Sequence, residues 1–179
     1  MMKKKRFVPQ AQQHQDFNIF EISATLEDYR LAFELNKMPD MQLERGEDLM
    51  VYTDAKKVPE VYSLFFCQTE NTTYYLIHSL GNSFALMKSY FLIVEGHADE
   101  SWQQDLISHL EHTGDVLSVN PVETDEKKAS KSSSGKKLLL VNSILTDLEY
   151  HMLEIRKKEE DQKVKLKTGT SSVVRKLYD

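Results

Sequence analysis

The stretch VYSLFFCQTENTTYYLIHSL, residues 61–80, does most to limit how this chain folds. Two apolar and aromatic runs stand on either side of Glu70-Asn71, and Thr72 and Thr73 lead into the second run. That pattern predicts a β-hairpin with its turn near 69–72. Other strands are legible around it. Phe17-Asn18-Ile19-Phe20-Glu21-Ile22 reads as a first strand and Leu49-Met50-Val51-Tyr52 as a second. Tyr90-Phe91-Leu92-Ile93-Val94 is apolar at every position, as a central strand covered on both faces must be.

Two helices are expected between these strands. In TLEDYRLAFELNK, Glu27 and Asp28 suit the positive end of a helix dipole, and Ser23 or Thr25 is available as the cap. Leu26, Tyr29, Leu31, Phe33 and Leu35 would form its apolar face, and Pro39 would end it. A second helix starts at Ser101, turns Trp102, Leu106, Ile107 and Leu110 inward, and stops at Gly114. Val116 to Val119 forms the last strand, so residues 90–119 read as a βαβ unit with a parallel, right-handed crossover. The expected fold class is α+β: a mixed sheet of five or six strands with two packed helices, plus a C-terminal amphipathic helix. The second half suggests a ferredoxin-like or ACT-like arrangement.

The chain has 179 residues, enough for one domain with a core and appendages. It carries a net charge of -5, unevenly distributed. Residues 7–122 carry -12, residues 1–6 carry +4 and residues 123–179 carry +3. An acidic body repels nucleic acid, so its main surface is not expected to bind nucleic acid; only the basic ends offer a surface for phosphate. The start, MMKKKRFVPQAQQHQ, lacks the apolar stretch of a secretory signal, and no window approaches a membrane span. With a single cysteine no internal disulfide is available, so a cytoplasmic address and no membrane partner are expected.

Beyond the body, ETDEKKASKSSSGKK at 123–137 has no apolar residue larger than Ala and reads as a flexible linker. After it, Leu138, Val141, Leu145, Leu148, Met152 and Ile155 are spaced 3, 4, 3, 4, 3, the seam of a helix that packs against something. Leu139, Ile144 and Tyr150 lie off that seam. The segment RKKEEDQKVKLK that follows is nearly all charge, and fraying is expected there. The expected layout is a basic arm at 1–15, the α+β domain at 16–122, the linker at 123–137, the amphipathic helix at 138–163 and a tail at 164–179. Burying six such side chains stabilises by roughly 10 kcal/mol before entropy losses, too much to leave exposed. Three partners suit the seam: the chain's own sheet face, self-association, or another protein.

Constellations that carry chemistry are weak. His109 and His112 stand three apart on a helix, with His97 nearby in sequence, but no carboxylate or cysteine completes a metal shell at a recognisable spacing. Cys67 lies mid-strand with no basic neighbour to activate it. No nucleophile elbow, phosphate loop or dinucleotide fingerprint is present. Tyr62, Phe65, Phe66, Tyr74 and Tyr75 suit a core better than a base-stacking platform in so acidic a body. No catalytic residue, cofactor or metal is assigned, and the chain reads as not an enzyme.

Residues 16–37, DFNIFEISATLEDYRLAFELNK, resemble the opening of the IPExxxVDY family of bacterial proteins. The likeness rests on Asp28-Tyr29-Arg30-Leu31 and Asn36-Lys37. Glu47-Asp48-Leu49, Tyr62-Ser63-Leu64-Phe65 and Tyr90-Phe91-Leu92-Ile93-Val94-Glu95-Gly96 follow in the same order. Where the name-giving motif belongs, the chain reads NSFALMKSYFLI. Tyr90 takes the place of the final tyrosine, Ser89 replaces the aspartate, and no Pro-Glu pair precedes them. The resemblance covers about residues 3–122; it implies a small bacterial cytoplasmic protein and brings no catalytic residue.

The function expected is that of a non-enzymatic interaction module working through Leu138, Val141, Leu145, Leu148, Met152 and Ile155. The alternatives are a small-ligand-sensing, ACT-like regulatory domain, or a nucleic-acid-associated factor acting through Lys3, Lys4, Lys5, Arg6 and the basic tail.

Overall fold

The computed structural model describes residues 17–53, 58–82, 86–96, 99–122 and 133–175. The basic arm and residues 123–132 of the expected linker lie outside them, as does His97. In chain order the elements are β1 (Phe17–Ala24), α1 (Asp28–Leu35), β2 (Glu44–Arg45), β3 (Leu49–Val51), β4 (Glu60–Gln68) and β5 (Thr72–Ser79). A 3-10 turn (Leu80–Asn82), β6 (Lys88–Gly96), α2 (Glu100–Glu111), β7 (Val116–Pro121) and α3 (Ser133–Arg175) complete the chain. Two compact units emerge: residues 1–47 with 63–123, and residues 48–62 with 124–179.

The fold is α+β with seven strands among the described residues, one or two more than expected, in the order β2-β4-β5-β6-β1-β7, with β3 paired to the start of β4. The sheet is antiparallel rather than mixed: β1 pairs antiparallel with both β6 and β7, and β5 pairs antiparallel with β6. β6 and β7 therefore run parallel to each other with β1 between them. The expected βαβ unit exists, but it is split by the N-terminal strand. By the same reasoning β1 and β5 are parallel across β6. The order β5-β6-β1-β7, with α1 after β1 and α2 after β6, is the split βαβ arrangement of ferredoxin-like folds. It draws on both halves of the chain, and β2, β3 and β4 are inserted between α1 and β5.

The core of the first unit follows the period-2 rule. Phe20, Ile22 and Ala24 from β1 join Tyr74 and Leu76 from β5 and Tyr90, Leu92 and Val94 from β6 against Leu31, Ala32 and Leu35 of α1 and Leu106 and Leu110 of α2. Alternate residues on the other face, Ile19, Ile77, Phe91 and Ile93, are buried as well. That is why residues 90–94 of β6 are apolar at every position. At its end Gly96 has φ 109, and a Cβ there would meet the Asn71 carbonyl oxygen at 2.4 Å. Only glycine fits the close approach of β6 to the turn of the hairpin.

Four local expectations change. α1 buries 31, 32 and 35, so Tyr29 and Phe33 fall on its outer face and are 57% and 65% exposed. Arg30 and Lys37 stand over their rings instead. Ser23 belongs to β1, and Glu27 occupies the N-cap without a side-chain cap bond. α2 is capped by Asp99, not Ser101: its carboxylate accepts the Trp102 N–H at 2.7 Å. The largest change is α3, which spans 43 residues rather than 138–163. It starts within the expected linker and continues through the charged segment into the expected tail. Lys, Glu, Gln and Leu are strong helix formers, and Glu154–Lys158 and Glu159–Lys163 have the i,i+4 spacing that supports a helix.

Candidate functional site

The second unit is built on α3 and β3. β3 is a three-residue strand with Leu49 and Val51 buried and Met50 exposed. α3 packs against it. Just past β3, the Tyr52 N–H donates to Asp147 Oδ2 at 2.7 Å. That bond gives an otherwise unpaired strand-end donor a partner on the helix. Burial raises the Asp147 pKa above the ordinary carboxylate value, and the Tyr52 N–H pulls it part of the way back.

Five residues of the expected seam are buried: Leu138, Val141, Leu145, Leu148 and Met152. Ile155 is half-buried. Ile144, placed off the seam from sequence, is only 1% exposed and widens the stripe. From 156 to 164 every residue is exposed. α3 is therefore anchored over about 15 residues, 138–152, and residues 156–164 continue it without burial. His151 Nε2 is buried with no hydrogen-bond partner among the described residues.

The opposite face of α3 carries a second apolar set, of which the sequence reading named Leu139 and Tyr150 as off the seam but not Leu153 or Val164. Leu139, Tyr150, Leu153 and Val164 are 69%, 55%, 49% and 59% exposed. At about 100° per residue the four fall within roughly 60° of arc, nearly opposite the buried seam. Between them, Ser143 Oγ donates to the Leu139 carbonyl and Thr146 Oγ1 to the Asn142 carbonyl. Those hydroxyls are bonded back to the helix itself.

The candidates for chemistry resolve into structural roles. His109 Nε2 is 2.8 Å from the Glu34 carbonyl oxygen, and His112 Nδ1 contacts the Ser108 carbonyl oxygen, so a carbonyl occupies each ring. No cluster of three metal-ligating side chains exists among the described residues. Cys67 is half-buried; burial raises its thiol pKa, the Gln42 N–H lowers it and Glu44 raises it again, so the unreactive thiol form dominates near neutral pH. Tyr62, Phe65, Tyr74 and Tyr75 are buried and Phe66 is partly so; none is presented as a stacking platform. The residues named for phosphate contact, Lys3 to Arg6, lie outside the described set.

Tyr90 and two buried polar residues of the first unit, His78 and Lys88, stand together at the start of β6. Tyr90 donates its hydroxyl to the Leu26 carbonyl at 2.5 Å. Burial, with Asp28 and Glu27 nearby, holds that hydroxyl well above the ordinary tyrosine pKa, so it remains a donor. Its ring lies 4.5 Å from that of His78. His78 Nδ1 faces the Ser89 carbonyl oxygen at 3.0 Å; a carbonyl only accepts, so that nitrogen carries the proton. The Lys88 ammonium pairs with the Glu27 carboxylate. Ser63 Oγ is buried and lacks a partner among the described residues. Tyr90 thus ties β6 to the entry of α1.

Among described residues no helix is long and apolar enough to cross a membrane. No family model matches the chain, and no match was found among curated proteins or solved structures.

Proposed function

We propose that this protein is a non-enzymatic, cytoplasmic interaction module whose working element is α3. The observation that carries this reading is the contrast along that helix: one apolar stripe is buried over 138–152, while the outer stripe and all of 156–164 are exposed. A helix of 43 residues is far longer than its anchoring needs, and helices in water gain most of their stability from packing. The buried seam serves to fix α3 in cis, and the free face makes the contact. The IPExxxVDY resemblance supports a bacterial setting and adds no activity.

The test is a photo-crosslinking amino acid placed at Leu153 in the full chain, expressed in cells, with Lys37 as the control position. Adducts at 153 and none at 37 are expected. No adduct at 153 would sink the reading.

A second reading, a small-ligand-sensing regulatory domain, draws on the split βαβ order of the first unit. It predicts that a metabolite raises the melting temperature in a thermal-shift screen. An empty screen over amino acids, nucleotides and organic acids counts against it.

A further inference from the structure

We infer that the outer stripe of α3 is a self-association surface, pairing two copies of this chain antiparallel about a two-fold axis near residues 151–152. The inference rests on the interaction reading above and names the partner. Leu139, Tyr150, Leu153 and Val164 are separated by 11, 3 and 11 residues, the same read from either end. An isologous contact needs a surface that complements itself when reversed, and this stripe does. Antiparallel pairing sets Tyr150 against Leu153 of the second copy and Leu139 against Val164. The paired stripes run about 37 Å along the helix, at ~1.5 Å per residue.

Charge fixes the direction. The stripe follows a 4, 3, 4, 3 spacing through Leu139, Ser143, Thr146, Tyr150, Leu153, Lys157, Glu160 and Val164. A parallel, in-register pair would place Lys157 on Lys157 and Glu160 on Glu160, like charges at the centre of the contact. Reversal places Lys157 beside Thr146 and Glu160 beside Ser143, the two residues whose hydroxyls are already bonded to their own helix. On one flank Glu149 then meets Arg156 of the second copy, twice by symmetry. The other flank brings Asp147 near Glu154; Asp147 already accepts the Tyr52 N–H. One attractive and one repulsive flank give a reversible dimer.

The experiment is size exclusion with light scattering on the full chain, beside Tyr150→Asp/Leu153→Asp. A spin label at Lys163→Cys in a Cys67→Ser background reports direction. A dimer is expected for the full chain and a monomer for the double variant, with unchanged melting temperature and helical circular dichroism. The label-to-label distance should be about 35 Å, against roughly 10–20 Å for a parallel pair. A full chain that stays monomeric at every concentration, a double variant that still dimerises, or the short distance would each overturn the inference. If the full chain is monomeric yet crosslinks at Leu153 to a different protein, the inference falls and the interaction reading stands. If it is monomeric and gives no adduct at all, both fall.

Discussion

The two stripes of α3 share a helix and both carry leucines, yet only one is buried. Leu145 and Leu148 are 1% and 3% exposed, whereas Leu139 and Leu153 on the far side are 69% and 49% exposed. Hydrophobic character alone therefore does not assign a residue to a core. What separates the stripes is that the inner one meets β3 in the same unit and is fixed there by the Asp147–Tyr52 bond. The inner stripe belongs to stability, and the outer one is the exposed surface proposed above for contact with others.

The strongest way to break this comparison is to attack the inner stripe. Leu148→Ala should cost about 2–5 kcal/mol in urea unfolding, the range for a buried leucine truncation. Leu145→Asp/Leu148→Asp should abolish the second unit's packing outright. A loss below 1 kcal/mol for Leu148→Ala would show that the stripe is not core. A control in the first unit comes next: Tyr90→Phe removes the donor to the buried Leu26 carbonyl and should cost about 1–3 kcal/mol while leaving any assembly through α3 unchanged. An assembly change there would mean that the two units are not separable in this way.

The anchor itself gives a smaller, pH-dependent effect. The folded Asp147 pKa is raised, so its ionised form costs stability at neutral pH. That cost is fully present above the raised value and disappears as pH falls toward the ordinary aspartate pKa of ~4. Asp147→Asn keeps an oxygen for the Tyr52 N–H and removes the cost. The variant should be at least as stable at pH 7, and the share of acid stabilisation due to this group should vanish when urea midpoints are compared across that window. A clear loss at pH 7 would mean that the negative charge itself is needed. The smallest effect belongs to the outer stripe: Leu153→Asp should change unfolding free energy by no more than about 0.5 kcal/mol, as surface substitutions do. A larger loss would place the residue in the fold after all.

The sequence made some of this legible for identifiable reasons. The hairpin of β4 and β5 and the central β6 each rest on a largely apolar run buried on both faces, and the inner seam rests on one clear helical period. β2 lacked such a run: Glu44 and Arg45 are both exposed, and their place is set by the Arg45 guanidinium and the Gly46 N–H, which both donate to the Leu64 carbonyl. On α1, Tyr29 and Phe33 looked like core because they are large and aromatic, but they are four apart on the face opposite Leu31 and Leu35. The length of α3 was hidden by the Ser, Lys and Gly residues before it and the charge after Ile155, since such composition suits a linker as well as an exposed helix. Its outer stripe was hidden because Ser143, Thr146 and Lys157 interrupt the apolar positions. As for function, His109 and His112 each face a carbonyl oxygen and Cys67 is half-buried, and the exposed face of α3 is a geometric signal that composition does not carry.

The position of β1 carries a consequence for how the chain is made. As the first strand of the sequence it lies inside the sheet, and its neighbours β6 and β7 stand about 70 and 100 residues downstream. On a ribosome, Phe17 to Ala24 would emerge long before either neighbour exists, while β4 and β5 could zip together locally as soon as their turn is free. Contacts of such long range slow folding. The chain closes its sheet by slotting its oldest strand between two of its youngest, so Phe20 and Ile22 must wait in a nascent chain for partners not yet synthesised.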